Sequence, residues 1–224
     1  MTLSDGQKTK DAQKHLKQRK GIIMKQGYTH ICVVLDASGS MASIENDVKG
    51  SFNNFLQKQR EAEGKTVFDL FQFSDEVTRL VKSADLALFK DDLMKKYKCS
   101  GCTALNDAVC TAIDTIGKEF AEMPENERPE HVLCVIITDG EENSSRKFST
   151  KDVKDRIEHQ TNVYNWNFDF LAANQDAFAT GQQMGLAMAD CVTFEASPEG
   201  ASFIGTRMCC SAAAVRQQKN KKRK

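Results

Sequence analysis

Three oxygen-bearing side chains stand two residues apart at the end of an apolar run. In VVLDASGSM, residues 33–41, Asp36 is followed by Ser38 and Ser40 on either side of a glycine. One acid and two hydroxyls in that spacing have two uses. They can fold back on the backbone as an Asx or Ser turn that caps the next helix. They can also present oxygens to a hard divalent cation such as Mg²⁺, which takes about six oxygen ligands in near-octahedral array. The second use needs ligands from elsewhere in the chain, and two later stretches offer them: Thr103 in CTALND and Asp139 in ITDG. Each has a local explanation as well, Thr103 as a helix cap and Asp139 as a strand-end turn.

The elements around these residues decide whether they can meet. THICVVLD, from Thr29, is a near-continuous β-branched run and predicts a strand buried on both faces; HVLCVIITDG predicts a second one, and it too ends in an acid. After the first, Ser43 as cap predicts a helix to about Glu61, with Ile44, Val48, Phe52, Phe55 and Leu56 at helical spacing. TVFDLFQFSDEVTRLV alternates either side of Ser74 and Asp75, the pattern of a hairpin whose second strand lies at a sheet edge. Residues 85–97 read as a short helix and loop. From Thr103 the spacing of Ala104, Leu105, Ala108, Val109, Ala112, Ile113 and Ile116 predicts an amphipathic helix, closed by the loop PENERP.

Ser149 with Asp152 is a capping-box pair that opens a helix to about Gln160. WNFDFLAAN then reads as a strand, QDAFATGQQMG as a short helix and CVTFEA as a brief strand. Ser197 and Pro198 mark the start of a last helix. Strands alternating with helices predict an α/β fold: a doubly wound, mainly parallel central sheet with one antiparallel edge strand and helices on both faces. Such sheets bind ligands outside the carboxyl ends of their strands, at a topological switch point. Both acid-ending strands deliver their acids to that edge.

Asp36, Ser38 and Ser40, then Thr103, then Asp139 resemble, in order, the metal-ion-dependent adhesion site of von Willebrand factor type A (vWA) domains. TDGEEN and FDFLAANQDAFATGQQMG further resemble small stand-alone members of that family in bacteria and phages, in which an ANxDA stretch follows the fifth strand. The resemblance runs from about Thr29 to Val215. It implies a vWA domain over residues 27–216 and leaves both ends unexplained; their composition makes residues 1–26 a basic polar arm, with a helical stretch from about Lys8 to Lys20, and residues 217–224 a basic tail. It also implies Mg²⁺ or Mn²⁺ held by Ser38, Ser40 and, in one state, Thr103, with Asp36 and Asp139 acting at least partly through water. Neutral hydroxyls leave the cation's charge incompletely balanced, so a partner protein's Asp or Glu completes the site. In relatives with this architecture, rearrangement at the metal is coupled to movement of the last helix, here residues 198–216. Gly39 and Gly140 are expected to allow tight turns beside the ligands.

Smaller features carry alternatives. Asp107 reads as a solvated first-turn acid favoured by the helix dipole, or as a support for the site from behind. Glu141 and Glu142 read as an acidic loop. Cys99 and Cys102 make a single C-x-x-C beside Thr103, open to a disulfide or a zinc site, although one such pair supplies only half of a tetrahedral zinc shell. Cys32 and Cys134 lie inside apolar runs and read as small buried hydrophobes.

With 40% apolar and 28% charged residues in 224, the chain has the composition of a soluble globular domain. It lacks both an apolar run of roughly 18 residues and the apolar core of a secretory signal, so the expectation is an intracellular, cytoplasmic monomer with reduced cysteines, nuclear if the source is eukaryotic. The net charge of zero is divided: residues 1–26 carry +5, residues 216–224 carry +6, and the body between carries −11. Basic tails suit non-specific contact with nucleic acid, and this gives the alternative of a nucleic-acid-associated factor. Catalysis is not expected. Ser38 stands where a D-x-D phosphatase needs its second carboxylate; ASGSM lacks the first glycine of a nucleophile elbow; and the histidines at 15, 30, 131 and 159 show no evident partner.

Overall fold

The structure is a computed structural model and describes residues 25–89, 92–173 and 176–218. Residues 1–24 and 219–224 lie outside it, so the helical stretch from Lys8 to Lys20 and most of the basic tail fall beyond the described residues. Six strands form one sheet in the order β3-β2-β1-β4-β5-β6. They are β1 (Lys25–Asp36), β2 (Lys65–Phe73), β3 (Val77–Asp85), β4 (Pro129–Thr138), β5 (Asn167–Ala173) and β6 (Cys191–Phe194). All neighbours are parallel except β2 and β3, the hairpin partners, so the antiparallel strand is an edge strand. The five helices are α1 (Glu45–Glu61), α2 (Leu105–Glu122), α3 (Thr150–Tyr164), α4 (Ala177–Gln183) and α5 (Pro198–Gln217).

The β-branched run of β1 is buried on both sides because each face carries its own helices. Ile31, Val33 and Leu35 pack under α1 and α5 with Phe52, Phe55, Ile204 and Met208. Cys32 and Val34 pack on the other face with Cys134 and with Val109 and Ile113 of α2, and α3 and α4 complete that layer. The thiols of Cys32 and Cys134 interact, and that contact together with burial pushes Cys32 far above the ordinary thiol range. They act as apolar side chains. Among the described residues no helix is long and apolar enough to cross a membrane.

The capping box at Ser149 and Asp152 is formed, and Ser197 caps α5 with Pro198 in its first turn. Other expectations fail locally. Ser43 does not cap α1: residues Gly39–Ile44 form a 3-10 helix that runs into α1, whose N-terminus at Ile44 has no side-chain cap. The hydroxyl-rich turn is therefore itself helical, a tighter path that leaves no room for a separate cap. Among the described part of 85–97 there are turns and no helix, because Leu86, Leu93, Met94 and Tyr97 are pulled individually into the core. Thr103 does not cap α2; its N-cap is Ala104, without a side-chain bond.

Candidate metal centre

The strand order reverses between β1 and β4. From β1 the chain goes outward to β2 and β3, then returns to the other side for β4, β5 and β6. The carboxyl ends of β1 and β4 thus flank the crevice where no connection crosses over, the place such sheets use for ligands. Asp36 is the last residue of β1, and Asp139 directly follows the last residue of β4.

All five candidate residues come to this crevice. Asp36 is fully buried; its Oδ1 accepts from the Ser38 backbone N–H at 2.7 Å, and its Oδ2 accepts from Thr138 Oγ1 at 2.6 Å. Ser38 Oγ lies 3.0 Å from Ser40 Oγ, which donates to Asp139 Oδ1 at 2.7 Å. Thr103 closes the group from the far side. A Cβ added to Gly140 would stand 3.2 Å from Thr103 Oγ1 and 4.0 Å from Ser40 Oγ, so the bare backbone of Gly140 is what lets these hydroxyls approach the β4 end.

The electrostatics are one-sided. Burial raises the carboxyl of Asp36 above its ordinary range, against the hydrogen bonds from Thr138 and Ser38, and the neighbouring charge of Asp139 adds to the rise. Burial likewise raises Asp139, against the hydrogen bonds from Ser40 and Ser38. Among the described residues neither acid forms an ion pair. Two dehydrated carboxylates beside three hydroxyls are a set of hard oxygens short of positive charge, which is the donor chemistry of Mg²⁺, Mn²⁺ or Ca²⁺. The residues present therefore fit a hard divalent cation. Among the described residues no group of three or more His, Cys, Asp or Glu is placed to hold a metal ion, so a cation here would rely on the hydroxyls as well as the two acids.

Several positioning residues carried no sequence signal. Tyr97, fully buried, donates its hydroxyl to the Asp36 carbonyl at 2.6 Å. Glu45 accepts from Cys99 N–H at 3.0 Å and pairs with Lys49 and Lys98; Lys49 is the main cause that lowers it to about 2, and burial opposes. Together they clamp the loop that leads to Thr103. Asn143 accepts from the Thr103 N–H at 3.0 Å, and the Thr103 carbonyl accepts from the N–H groups of Asn143 and Ser144. A Tyr in a lysine-rich stretch and an Asn in an acidic one look like surface residues; only their long-range partners reveal the role.

Three expectations need correction. Asp107 is buried, not solvated, and its carboxylate accepts from the backbone N–H groups of Arg146, Lys147 and Phe148 at 2.9–3.0 Å. Glu142 is a structural anchor as well, taking the N–H groups of Asn106, Ser144 and Ser145. Gly39 has no positive φ; the strained glycine of the site is Gly101, at φ +81°, where an added Cβ would meet Asp75 Oδ2 at 2.1 Å. Its carbonyl accepts from Gly39 N–H at 3.0 Å, tying the loop before Thr103 to the turn at Ser38.

Cys99 and Cys102 are both free thiols, the first half-buried and the second exposed. Burial pushes Cys99 up to about 11, and a hydrogen bond to Asp75 raises Cys102, so neither is an activated thiolate. One histidine does have a partner. His30 Nε2 lies 2.9 Å from Asp69 Oδ2, and Arg79 joins Asp69 to Glu119. That network is near the start of β1, roughly six strand residues or 20 Å from Asp36, and does not serve the serines.

The von Willebrand factor type A domain model matches residues 30–201. No curated protein sequence matches the chain significantly. Among solved structures, the chain is similar to proximal thread matrix protein 1 from the mussel byssus, described with a zinc-occupied MIDAS motif: TM-score 0.59, 15% identity, covering 83% of this chain and 48% of that one. It is similar to a D319A mutant of the PilB minor pilin from Streptococcus sanguinis (TM-score 0.58, 10% identity, covering 87% and 63%). A von Willebrand factor type A protein from Catenulispora acidiphila also matches (TM-score 0.55, 14% identity, covering 84% and 43%). At these identities the likeness is one of fold, and the chain spans about half the length of the byssus protein and of the Catenulispora acidiphila protein.

Proposed function

Since this chain belongs to the von Willebrand factor type A domain family, we propose that it is a divalent-metal-dependent protein-binding module, with Mg²⁺ or Mn²⁺ held at the β1–β4 switch point. The observation that carries this reading is the convergence of the Ser38, Ser40 and Thr103 hydroxyls with two buried carboxylates that have no cationic partner among the described residues. The zinc-occupied motif described in the byssus protein supports a metal at this place in the fold.

In this reading Ser38, Ser40 and Thr103 would hold the cation through their hydroxyls, with Asp36 and Asp139 supporting it. Asp36 fixes the turn by accepting the Ser38 N–H, and Thr138 fixes Asp36. Asp139 orients the Ser40 hydroxyl. The cation supplies an electrophilic coordination position to a carboxylate, and a partner protein's Asp or Glu is the group that takes it.

In this reading the module acts by binding: Asp139 orients the Ser40 hydroxyl as a ligand, and among the described residues neither Ser38 nor Ser40 is hydrogen-bonded to a histidine of the kind that activates a serine nucleophile. Two measurements test the proposal. Calorimetry should detect uptake of Mg²⁺ or Mn²⁺ that Ser38→Ala weakens by at least about tenfold with the melting temperature of the metal-free protein unchanged. Affinity capture should then hold a partner in Mg²⁺ and release it in EDTA, with Asp36→Ala capturing nothing. Absence of metal uptake by the unaltered chain ends the reading; uptake without metal-dependent capture ends the partner-carboxylate half of it.

A further inference from the structure

At the opposite end of the sheet the lower half of β5 is left without an outer neighbour. β6 pairs only with residues from Phe170 to Ala173, so among the described residues no strand flanks Asn167, Phe168 and Asp169 on that side. A cavity of about 410 Å³ opens there between β5, the loop entering β6 and the C-terminal half of α5. Its apolar wall includes Trp166, stacked on Phe168 with ring centroids 6.1 Å apart, together with Leu186 and Val215.

The charges in this cavity do not balance. Arg207 donates to Asp169 Oδ1 at 3.0 Å and to the Ala189 carbonyl at 3.4 Å, and the buried Ser211 hydroxyl donates to the other oxygen of Asp169. Asp169 is thereby satisfied. Asp190, half-buried on the same wall, has no hydrogen bond to its carboxylate and no ion pair among the described residues. Burial raises its carboxyl, the charge of Asp169 raises it further, and Arg207 opposes without contact. One guanidinium set between two carboxylates leaves one negative charge against an aromatic wall. The complement to that is a compact cation on an apolar stem, which is the shape of a lysine or arginine side chain.

The sequence continues with such groups directly after a residue of the rim. Gln218 lines the cavity and its Nε2 donates to Asn167 Oδ1 at 2.9 Å; the next six residues, Lys219 to Lys224, include five that are basic. An extended chain spans about 3.3 Å per residue, so six residues reach roughly 20 Å. The cavity wall on α5, from Gln218 back to Arg207, measures about 16 Å at 1.5 Å per residue. We propose that this cavity is a docking site for the chain's own basic segment 219–224, which turns back along α5 and places a lysine or arginine head against Asp190. This inference stands apart from the metal reading and survives its failure.

Trp166, the chain's one tryptophan, lines the cavity and supplies the readout. Acrylamide quenching of its fluorescence is compared in the full chain, a chain ending at Gln218, the full chain with all five basic residues of 219–224 changed to Gln, and full-length Asp190→Asn. At about 10 mM salt, where charges act over roughly 30 Å, quenching should rise about twofold in all three variants, and high salt should raise the unaltered chain to match them. Added hexapeptide KNKKRK should restore protection to the chain ending at Gln218 but not when that chain also carries Asp190→Asn. The glutamine-substituted segment alters no residue of the described fold, so its result does not depend on whether Asp190→Asn folds. Equal quenching in the unaltered and glutamine-substituted chains overturns the proposal. Uptake of the free hexapeptide alongside that equality assigns the cavity to a basic group from another molecule and overturns the intramolecular docking.

Discussion

At the residue scale the geometry of the candidate metal centre depends on two residues that are not themselves candidate ligands. Thr138 donates to Asp36 Oδ2 and also accepts from the Gly140 N–H at 3.2 Å, so one hydroxyl holds the ends of β1 and β4 together behind the site. Thr138→Val keeps the shape and removes both bonds. It is expected to lower Mg²⁺ affinity by about 10- to 100-fold, as loss of an outer-shell partner does, measured by calorimetry beside Ser38→Ala. Gly101 works through geometry alone. Gly101→Ala puts a side chain into a left-handed conformation and onto the Asp75 carboxylate, and should cost roughly 1–3 kcal/mol in urea denaturation. A cost within error of zero would mean that the loop before Thr103 has another path.

At the element scale the loop following β4 is held by acids that look dispensable in isolation. Asp107, in the first turn of α2, takes three backbone N–H groups of residues 146–148 and so ties α2 to the approach of α3. Burial works to raise its carboxyl, but those three donors outweigh burial and set it below the ordinary value. A lowered folded-state pKa gives stability that is present above the unfolded value and lost as pH falls through the folded one. Asp107→Asn should therefore destabilise the protein by roughly 1–3 kcal/mol at neutral pH. The difference from the unaltered chain should shrink once pH drops below about 4. A difference that stays constant with pH in chemical denaturation would assign the effect to packing and not to the charge.

For the whole molecule, the switch point combines stability and function in opposite directions. Asp36 and Asp139 have raised carboxyls because the fold dehydrates them. For a raised acid the sign reverses: in the metal-free protein these charges cost stability above the folded pKa, and the cost is relieved as pH falls through it. Metal uptake needs the same groups ionised. The expected outcome is a thermal shift with Mg²⁺ of about 2.7 kcal/mol equivalent at 100 times Kd, which fades as pH falls toward the raised carboxyl range. The contribution of these two acids to the metal-free protein should move the other way, which Asp36→Asn isolates. A Mg²⁺ shift that is unchanged by acid would remove both carboxylates from the metal's environment.

The sequence by itself determined the α/β architecture, the antiparallel edge strand at the Ser74–Asp75 hairpin, the caps at Ser149 and Ser197, and the five residues that meet at the crevice. Those signals are local: a strand buried on both faces is apolar nearly throughout, a side-chain cap shows as one polar residue at a helix start, and an acid stands at the end of β1 and directly after β4 whatever lies beyond. Tertiary structure alone decided that Gly101 and not Gly39 carries the strained turn, and that residues 39–44 wind as a 3-10 helix. It also decided that Asp107, Glu142 and Tyr97 are clamps and that His30 belongs to a remote buried pair. Each of these depends on partners tens of residues away, and the identity of a polar side chain says what it can bond to, but not which backbone the fold will bring to it.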